Sequence, residues 1–515
     1  MEARALKIHP DDDVAVLLSP AIAPGTRIRV DGADYLTDRA IPSGHKIALR
    51  DLPAGATVRK YGQPFARTTE PVLAGAWLHT HNARTTLGAN ETYEYTSYSA
   101  RPPRGTRELA AEGAGVREER TFQGFVRPDG RVGVRNELWV LCTVGCINRR
   151  AEEIARRAHA LLAGKNAIDG VYAFTHPYGC AQIGGDLLQT RRGIAALASH
   201  PNCAGVLLIG LGCENNALLD QVAEFRVANP ERVRYFSAQD CEDELDEGVR
   251  HLTELAELAK NDRRTEVPLG KLVLGMKCGG SDGFSGLTAN PLVGVLSDRL
   301  AAAGGVSILT EVPEMFGAEK LLMARAIDEQ TFHKTERLIN DFKDYFRKYG
   351  EPISENPAPG NKAGGITTLE EKSLGCIQKG GAVAPVSHVL GYGEPLPASP
   401  TPGIALAYGP GSDVVSCSTL AMAGSALVLF TTGRGTPFGT CVPTMKISSN
   451  SDLAKRKPRW IDFDAGRLIE DGIPLETLAD ELLAQVIRIA SGQETTRTED
   501  NGCREIALFK DGVIN

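Results

Sequence analysis

Short apolar runs broken by turn signals open the chain. Stretches at 14–18, 27–30, 46–49 and 57–60 alternate with Ala-Pro-Gly-Thr, Pro-Ser-Gly-His and Pro-Ala-Gly-Ala. Short strands at regular spacing predict a small β-rich domain over residues 1–100. Residues 101–120 are rich in Arg, Pro, Gly and Glu and read as a surface linker. From residue 121 the rhythm changes to apolar runs alternating with amphipathic stretches. Runs at 138–144, 171–174, 206–210, 233–236 and 271–276 are separated by helix-like segments, one of them with apolar positions at Ile154, Ala158, Leu161 and Leu162. This alternation predicts an α/β fold, a large region of mainly parallel sheet flanked by helices. The strand at 271–276 reads as one more member of that series. The expected division is an α/β domain over 121–349 and a C-terminal α/β domain over 350–515 that completes the active site. The latter has strand candidates at 403–407, 427–431 and 443–447 and a helix near 475–491.

Composition narrows the function without choosing it. The chain has 515 residues, a net charge of −7, 42% apolar and 23% charged residues. That is an ordinary globular balance, and the acidic excess argues against a nucleic-acid or anionic-membrane surface. No apolar run is long enough for a membrane span. The first ten residues are charged and lack a signal-peptide core. Eleven cysteines without secretory cues predict a reducing, cytoplasmic setting and thiols used for packing, metal or chemistry. Oligomeric state is not set by the sequence, and a homo-oligomer stands among the expectations.

The stretch 277–291, Lys-Cys-Gly-Gly-Ser-Asp-Gly-Phe-Ser-Gly-Leu-Thr-Ala-Asn-Pro, follows a strand and precedes a helix-like segment. In open α/β sheets ligands bind in loops past the carboxyl ends of strands. Cys146, Cys180, Cys213 and Cys278 each follow a strand candidate. If those strands are parallel neighbours, all four thiols face one crevice. Thiolates are soft ligands suited to iron or zinc, although the spacing is not that of a zinc finger. His79 and His81 form a His-x-His pair, which on a strand would share one face and reach a single ion. His176 lies four residues before Cys180, and His45 sits at a tight turn. Arg434, on a loop of small and hydroxylic residues that includes Thr436, is shaped to grip a carboxylate. Lys362 follows Asn361 in a second glycine-rich loop. Dinucleotide, phosphate-loop and serine-hydrolase fingerprints are missing, which weakens those readings.

Several motifs in one order resemble the altronate/galactarate dehydratase family across nearly the whole chain. They are Gly-His-Lys-Ile-Ala-Leu at 44–49, Tyr-Gly-Gln-Pro at 61–64, His-Thr-His-Asn at 79–82 and Arg-Pro-Asp-Gly-Arg-Val-Gly-Val-Arg-Asn at 127–136. Further on come Tyr-Gly-Cys at 178–180, Gly-Leu-Gly-Cys-Glu-Asn-Asn at 210–216, the stretch 278–291 and Pro-Gly-Asn-Lys-Ala-Gly-Gly at 359–365. Thr-Thr-Gly-Arg-Gly-Thr-Pro at 431–437 and Trp-Ile-Asp-Phe-Asp-Ala-Gly at 460–466 complete the set. The His-x-His pair and the motif at 310–319 resemble the altronate branch.

The resemblance implies an N-terminal SAF-type domain and a hydro-lyase. Its reaction would be dehydration of a hexonate, D-altronate, to 2-dehydro-3-deoxy-D-gluconate and water in hexuronate catabolism. It also implies dependence on Fe2+ or Mn2+, and the strand-end thiols keep an iron–sulfur cluster open. Galactarate or another aldarate or aldonate is the alternative substrate, and a non-catalytic sugar-acid-binding module the alternative class. Within this picture His176, Asp282, Lys362 and Arg434 are the expected catalytic residues. His45, Asn82, Ser281, Asn290, Asn361 and Thr436 are expected to bind substrate. His79, His81, Cys180, Cys213 and Cys278, with Cys146 as a further candidate, are expected to hold metal. The branch comparison discounts Cys376.

Overall fold

The computed structural model describes residues 3–88, 92–96 and 120–511. The N-terminal region is β-rich. A six-stranded sheet runs in the order Ala33–Leu36, Arg27–Val30, Ala3–Leu6, Val14–Leu17, Lys46–Ala48, Trp77–Leu78. Beside it lies a three-stranded sheet of Thr57–Lys60, Gln63–Thr68 and Ala83–Arg84. Most of the predicted linker lies outside the described residues.

The large region holds two parallel sheets. A four-stranded one runs Gly170–Phe174, Glu137–Cys142, Cys203–Gly210, Val233–Ser237. A seven-stranded one runs Val386–Leu390, Gly403–Ala407, Val306–Leu309, Val273–Cys278, Leu427–Thr432, Thr444–Ser448, Phe463–Asp464. The strand Val273–Cys278 therefore does not continue the series that begins at 137. It lies at the centre of the second sheet, paired with Val306–Leu309 and Leu427–Thr432. An antiparallel sheet, in which Thr121–Val126 pairs with Val132–Gly133 and Thr265–Pro268, brackets the first series in the chain. The expected division at 350 falls within the span of the seven-stranded sheet.

Strand periodicity builds the layers. In Glu137–Cys142, Leu138, Val140 and Cys142 face one way and pack with Ile154 of helix Asn148–Leu162 and Leu252 of helix Glu244–Ala259. Trp139 and Leu141 face the other way and meet Val428 and Phe430 of the second sheet. Between the sheets also lie helices Gly184–Ala198 and Asp413–Met422, through Ile194, Leu197, Cys417 and Leu420. Alternate side chains of a strand point to opposite faces, so an unbroken apolar strand buried on both sides is what this position requires.

The N-terminal domain docks on the second sheet through a backbone wedge. The loop at 42–45 inserts Gly44 between two glycine-rich segments. A Cβ on Gly283 would lie 2.0 Å from the Gly44 carbonyl oxygen, and one on Gly365, whose φ is +105°, would lie 2.4 Å from it. Glycine is required at both places by close approach, and at Gly365 also by conformation.

Candidate active site

Beyond the carboxyl end of Val273–Cys278 the structure collects a fully buried charged cluster. Lys277 and Cys278 come from the strand itself. Glu311 and Glu314 come from the turn after Val306–Leu309, where Glu311 has φ +65°. A non-glycine residue in the left-handed region is a local strain that the surrounding contacts must hold. Lys372 and Cys376 come from helix Leu369–Cys376, capped by Thr368, and Lys379 from the turn that follows. Their spacing of i, i+4 and i+7 puts all three on one face.

The contacts are close. Lys379 Nζ donates to Cys278 Sγ at 2.8 Å and lies 3.3 Å from Glu311. Cys376 Sγ lies 3.2 Å from Cys278 Sγ and 3.0 Å from Glu314 Oε2. Lys372 Nζ pairs with Glu314 at 3.2 Å and donates to Ser281 Oγ at 2.9 Å. Lys277 pairs with Glu311 and, at 2.9 Å, with Asp413. A hydrogen bond from Cys376, together with the Lys372 and Lys379 ammoniums, lowers the Cys278 thiol to about 5 against the opposing pull of burial. Burial disfavours a charged Glu314, but Lys372, Lys277 and Lys379 outweigh it and hold the carboxyl at about 2. Burial also opposes charge on Lys372, and the facing thiols and carboxylates reverse this, so its ammonium is held above its ordinary value. The cluster thus sets the Lys277, Lys372 and Lys379 ammoniums against the Glu314 carboxylate and the Cys278 thiolate, while burial and the neighbouring Cys278 and Glu314 charges push the Glu311 carboxyl up to about 8.

A second buried ion group joins this cluster to the N-terminal domain. Glu371 accepts from Lys60 at 2.8 Å and pairs with Lys46 at 2.9 Å. Burial would raise its carboxyl, but the two lysines hold it at about 2. A small cavity of about 10 Å3, lined by Lys60, Tyr61, Ser281, Asn290, Lys372 and Cys376 among others, lies between the two groups.

The expected site residues divide between several places. Ser281, Asn361, Lys362 and Arg434 come together. Asn361 Nδ2 donates to the Ser281 carbonyl at 2.8 Å, and Arg434 donates to the Gly360 carbonyl at 3.2 Å. Among the described residues Arg434 has no carboxylate partner, and Lys362 makes no side-chain hydrogen bond or ion pair. Thr436 lies on the same loop as Arg434, its hydroxyl accepting from Phe438 N–H at 3.3 Å.

Asp282 is not a free base. Its Oδ1 accepts from Ser449 Oγ at 2.8 Å, from Ser285 Oγ and Ser285 N–H, each at 2.9 Å, and from Phe284 N–H at 3.1 Å. Its Oδ2 accepts from Asn450 at 2.9 Å. Asp282 therefore staples its own loop to the loop at 449–450. Asn290 is likewise committed, donating to the Gly375 carbonyl at 2.9 Å and accepting from Thr431 at 2.7 Å. Asn82 caps its own turn, accepting from His79 N–H at 2.9 Å and donating to the Trp77 carbonyl at 2.9 Å.

The histidine pair does not share a face. The strand ends at Leu78, and residues 79–82 form a turn. His79 turns inward to Thr367 at 3.1 Å, while His81 is exposed beside Arg39 at 3.4 Å. His45 packs edge-on to His79, with ring centroids 4.8 Å apart. Burial lowers His45 and takes His79 to about 3, so both are neutral. His45 has both nitrogens engaged, by Trp77 at 3.2 Å and by the Ala363 carbonyl at 3.3 Å.

The four thiols do not face one crevice. Cys278 is buried in the second sheet, whereas Cys146, Cys180 and Cys213 are exposed at the end of the first. His176 belongs with those three. It is buried, held between the Cys142 carbonyl at 2.8 Å and Tyr178 N–H at 3.2 Å, and burial lowers it to about 4. It positions its loop and does not reach the lysine cluster.

Lys277, Lys372, Lys379, Lys46, Lys60, Glu371 and Cys376 were not singled out from the sequence, or in the case of Cys376 were set aside. One signal was available. Lys-x-x-x-Cys-x-x-Lys at 372–379 places three reactive groups on one helical face.

Comparison with known proteins agrees with the resemblance noted from the motifs. Residues 3–86 match the "Altronate/galactarate dehydratase SAF domain". Residues 124–260 match the "D-galactarate dehydratase/Altronate hydrolase, second domain", and 269–514 the "D-galactarate/Altronate dehydratase, C-terminal" model. The chain is 46% identical to an altronate dehydratase of Bacillus subtilis over 99% of both chains. It is 47% identical to an altronate dehydratase of Escherichia coli, again over 99% of both. A galactarate dehydratase of Escherichia coli is 32% identical over 99% of this chain and 97% of its own. With its three matched regions in order and full-length relatives on both branches, the chain belongs to the altronate/galactarate dehydratase family.

Proposed function

We propose that the protein is a hydro-lyase that converts D-altronate to 2-dehydro-3-deoxy-D-gluconate and water. The observation that carries the chemistry is the buried thiolate–lysine cluster beside Ser281. Removing the proton at C2 of a hexonate places charge next to an ionised carboxylate. Cations must offset that charge, a base must take the proton, and an acid must help the C3 hydroxyl leave. Arg434 and Lys362 supply uncommitted cations for the carboxylate. The Cys278 thiolate takes the C2 proton, and Lys379 stabilises the thiolate beforehand. Lys372, kept protonated between Glu314 and Cys278, donates to the departing hydroxyl. Ser281 bonds a substrate hydroxyl in place of its present bond with Lys372. The cavity holds about one water, so a hexonate enters by parting the N-terminal domain from helix Leu369–Cys376.

Iron or manganese belongs to the same expectation. Cys278, Glu314 and Cys376 offer ligand atoms within 4.8 Å of one another. Cys278 already accepts from Lys379, Glu314 pairs with Lys372 and Cys376 donates to Glu314, so a divalent cation there would meet the charge of both ammoniums and does not fit. His45 and His79 offer one uncommitted ring nitrogen between them among the described residues. No step above runs through a metal.

The higher identity to the altronate dehydratases than to the galactarate dehydratase favours altronate as substrate. The test is to incubate the reduced protein, with and without ferrous or manganous ion, with a panel of hexonates and aldarates. Formation of a 2-keto-3-deoxy acid from altronate is expected. Turnover of galactarate but not altronate overturns the substrate, and tight binding without turnover overturns the reaction.

A further inference from the structure

Two hairpins of the N-terminal domain turn on two residues, and both hold those residues at positive φ. One, between Arg27–Val30 and Ala33–Leu36, uses Asp31 at +49° and Gly32 at +84°. The other, between Thr57–Lys60 and Gln63–Thr68, uses Tyr61 at +58° and Gly62 at +71°. A two-residue turn of this kind prefers Asn-Gly or Asp-Gly, because a short polar side chain tolerates the left-handed region and glycine adopts it freely. Asp31 follows that rule on the surface. Tyr61 breaks it, since a bulky side chain at positive φ is strained. Neighbours hold the strained turn in place. Gly62 N–H donates to Asp12 Oδ1 at 2.8 Å, and a Cβ on Gly62 would lie 2.9 Å from the His9 ring.

The strained turn delivers a phenol to the site. The Tyr61 hydroxyl reaches the seam between the loop at 279–288 and helix Leu369–Cys376, where glycines stand on both sides of it. A Cβ on Gly286 would lie 2.2 Å from the hydroxyl, and one on Gly375 would lie 3.8 Å from it. Lys60 Nζ lies 4.8 Å from the centre of the Tyr61 ring. Tyr61, Lys60, Ser281, Lys372 and Cys376 line the same small cavity. Burial holds the phenol above its ordinary value, against the pull of the Lys60 ammonium, so it is protonated at neutral pH.

The dehydration leaves one role open at this place. Loss of the C2 proton and the C3 hydroxyl gives an enol, and the keto product needs a new proton on C3. Lys372 has by then given its own proton to the departing hydroxyl. We propose that Tyr61 is a further catalytic residue, the acid that protonates C3 of the enol. The role rests on the hydro-lyase reading above. The electron pair of the C2–C3 double bond forms the C3–H bond as the Tyr61 O–H bond breaks. The enol O–H bond breaks as the C2 carbonyl forms, and its proton goes to the neutral Lys372 amine. The phenolate, faced by the Lys60 ammonium, regains the proton that Cys278 took from C2. All three groups return to their starting states, and no oxidant or further reactant is required.

The test is dehydration of altronate in D2O by the full-length parent and by Tyr61→Phe, with C3 of the product read by proton NMR. The parent should place one deuterium on one face of C3 and give a single C3 epimer. Tyr61→Phe keeps the ring and loses the hydroxyl. It should release the enol to ketonise in solution, so that both epimers form in comparable amounts, while its unfolding midpoint matches the parent's. A single epimer from Tyr61→Phe, or both epimers from the parent, overturns the proposal. No product from a folded Tyr61→Phe would place the phenol at an earlier step and overturn it too. No product from the parent overturns the hydro-lyase reading and this role with it, so the two failures are read in different proteins.

Discussion

Individual side chains carry the chemistry through their neighbours. Cys278 would be an ordinary packing thiol without Cys376, Lys372 and Lys379. Cys278→Ser should lower kcat by at least about a hundredfold, the usual worth of a positioned base, with the hexonate KM little changed. The acid limb of kcat should lie near 5, where the Cys278 thiolate is lost. The folded-state value is depressed from an ordinary 9.0, so the stabilisation is full above that value and falls away as the pH drops through about 5. A kcat profile without an acid limb between 4 and 7 would remove Cys278 from proton transfer. Arg434→Lys keeps the charge and loses the bidentate fork. It should raise KM about tenfold with little change in kcat, as expected for loss of uniform binding; an unchanged KM would take Arg434 off the substrate carboxylate. The sequence exposed Cys278, Ser281, Lys362 and Arg434 because each lies in a distinctive loop. It did not expose Lys372 and Lys379, because lysines on a charged-looking helix read as solvated until burial is known.

Among the elements, helix Leu369–Cys376 stands out because every residue on it is buried, including Glu370, Glu371 and Lys372. It carries two jobs on two faces. Lys372 and Cys376 face the thiolate cluster, and Glu371 faces Lys46 and Lys60 of the N-terminal domain. Glu371→Gln leaves two buried ammoniums short of their counter-charge, which costs about 3–5 kcal/mol. Thermal unfolding should show that loss, and an unchanged midpoint would deny the ion group its docking role. The native group is charged at neutral pH because its value is depressed from an ordinary 4.5 to about 2. Its contribution is complete above the ordinary value and fades as the pH falls through about 2. The strand-end loop at 279–288 shows the opposite lesson. Its polar residues looked like substrate contacts, yet Asp282 serves as a staple. Asp282→Ala should lower the unfolding midpoint by several degrees, since it strands donors from Ser285, Ser449 and Asn450. A variant with native stability and absent activity would return Asp282 to catalysis.

For the molecule as a whole, the N-terminal domain forms a wall of the site. Lys46, Lys60, Tyr61 and the Gly44 wedge close over the second sheet through non-covalent contacts alone among the described residues. Residues 1–96 and 97–515, co-expressed as separate chains, should therefore co-purify and dehydrate altronate, whereas 97–515 alone should not. Activity of 97–515 alone would show that the wall is dispensable.

The sequence by itself determined many of the strands, though not Val306–Leu309 or Val386–Leu390, together with the glycine-rich loops and the family, since periodicity and motif order are local properties of the chain. It also showed that the β-rich N-terminal domain differs in kind from the rest. The tertiary structure alone decided which strands share a sheet. That choice separated Cys278 from Cys146, Cys180 and Cys213, turned His79 away from His81 and brought Lys372 and Lys379 onto the thiolate. The physical reason is that strand pairing and burial depend on contacts between distant residues, and those contacts set both the partners of each ionisable group and the state in which it is held.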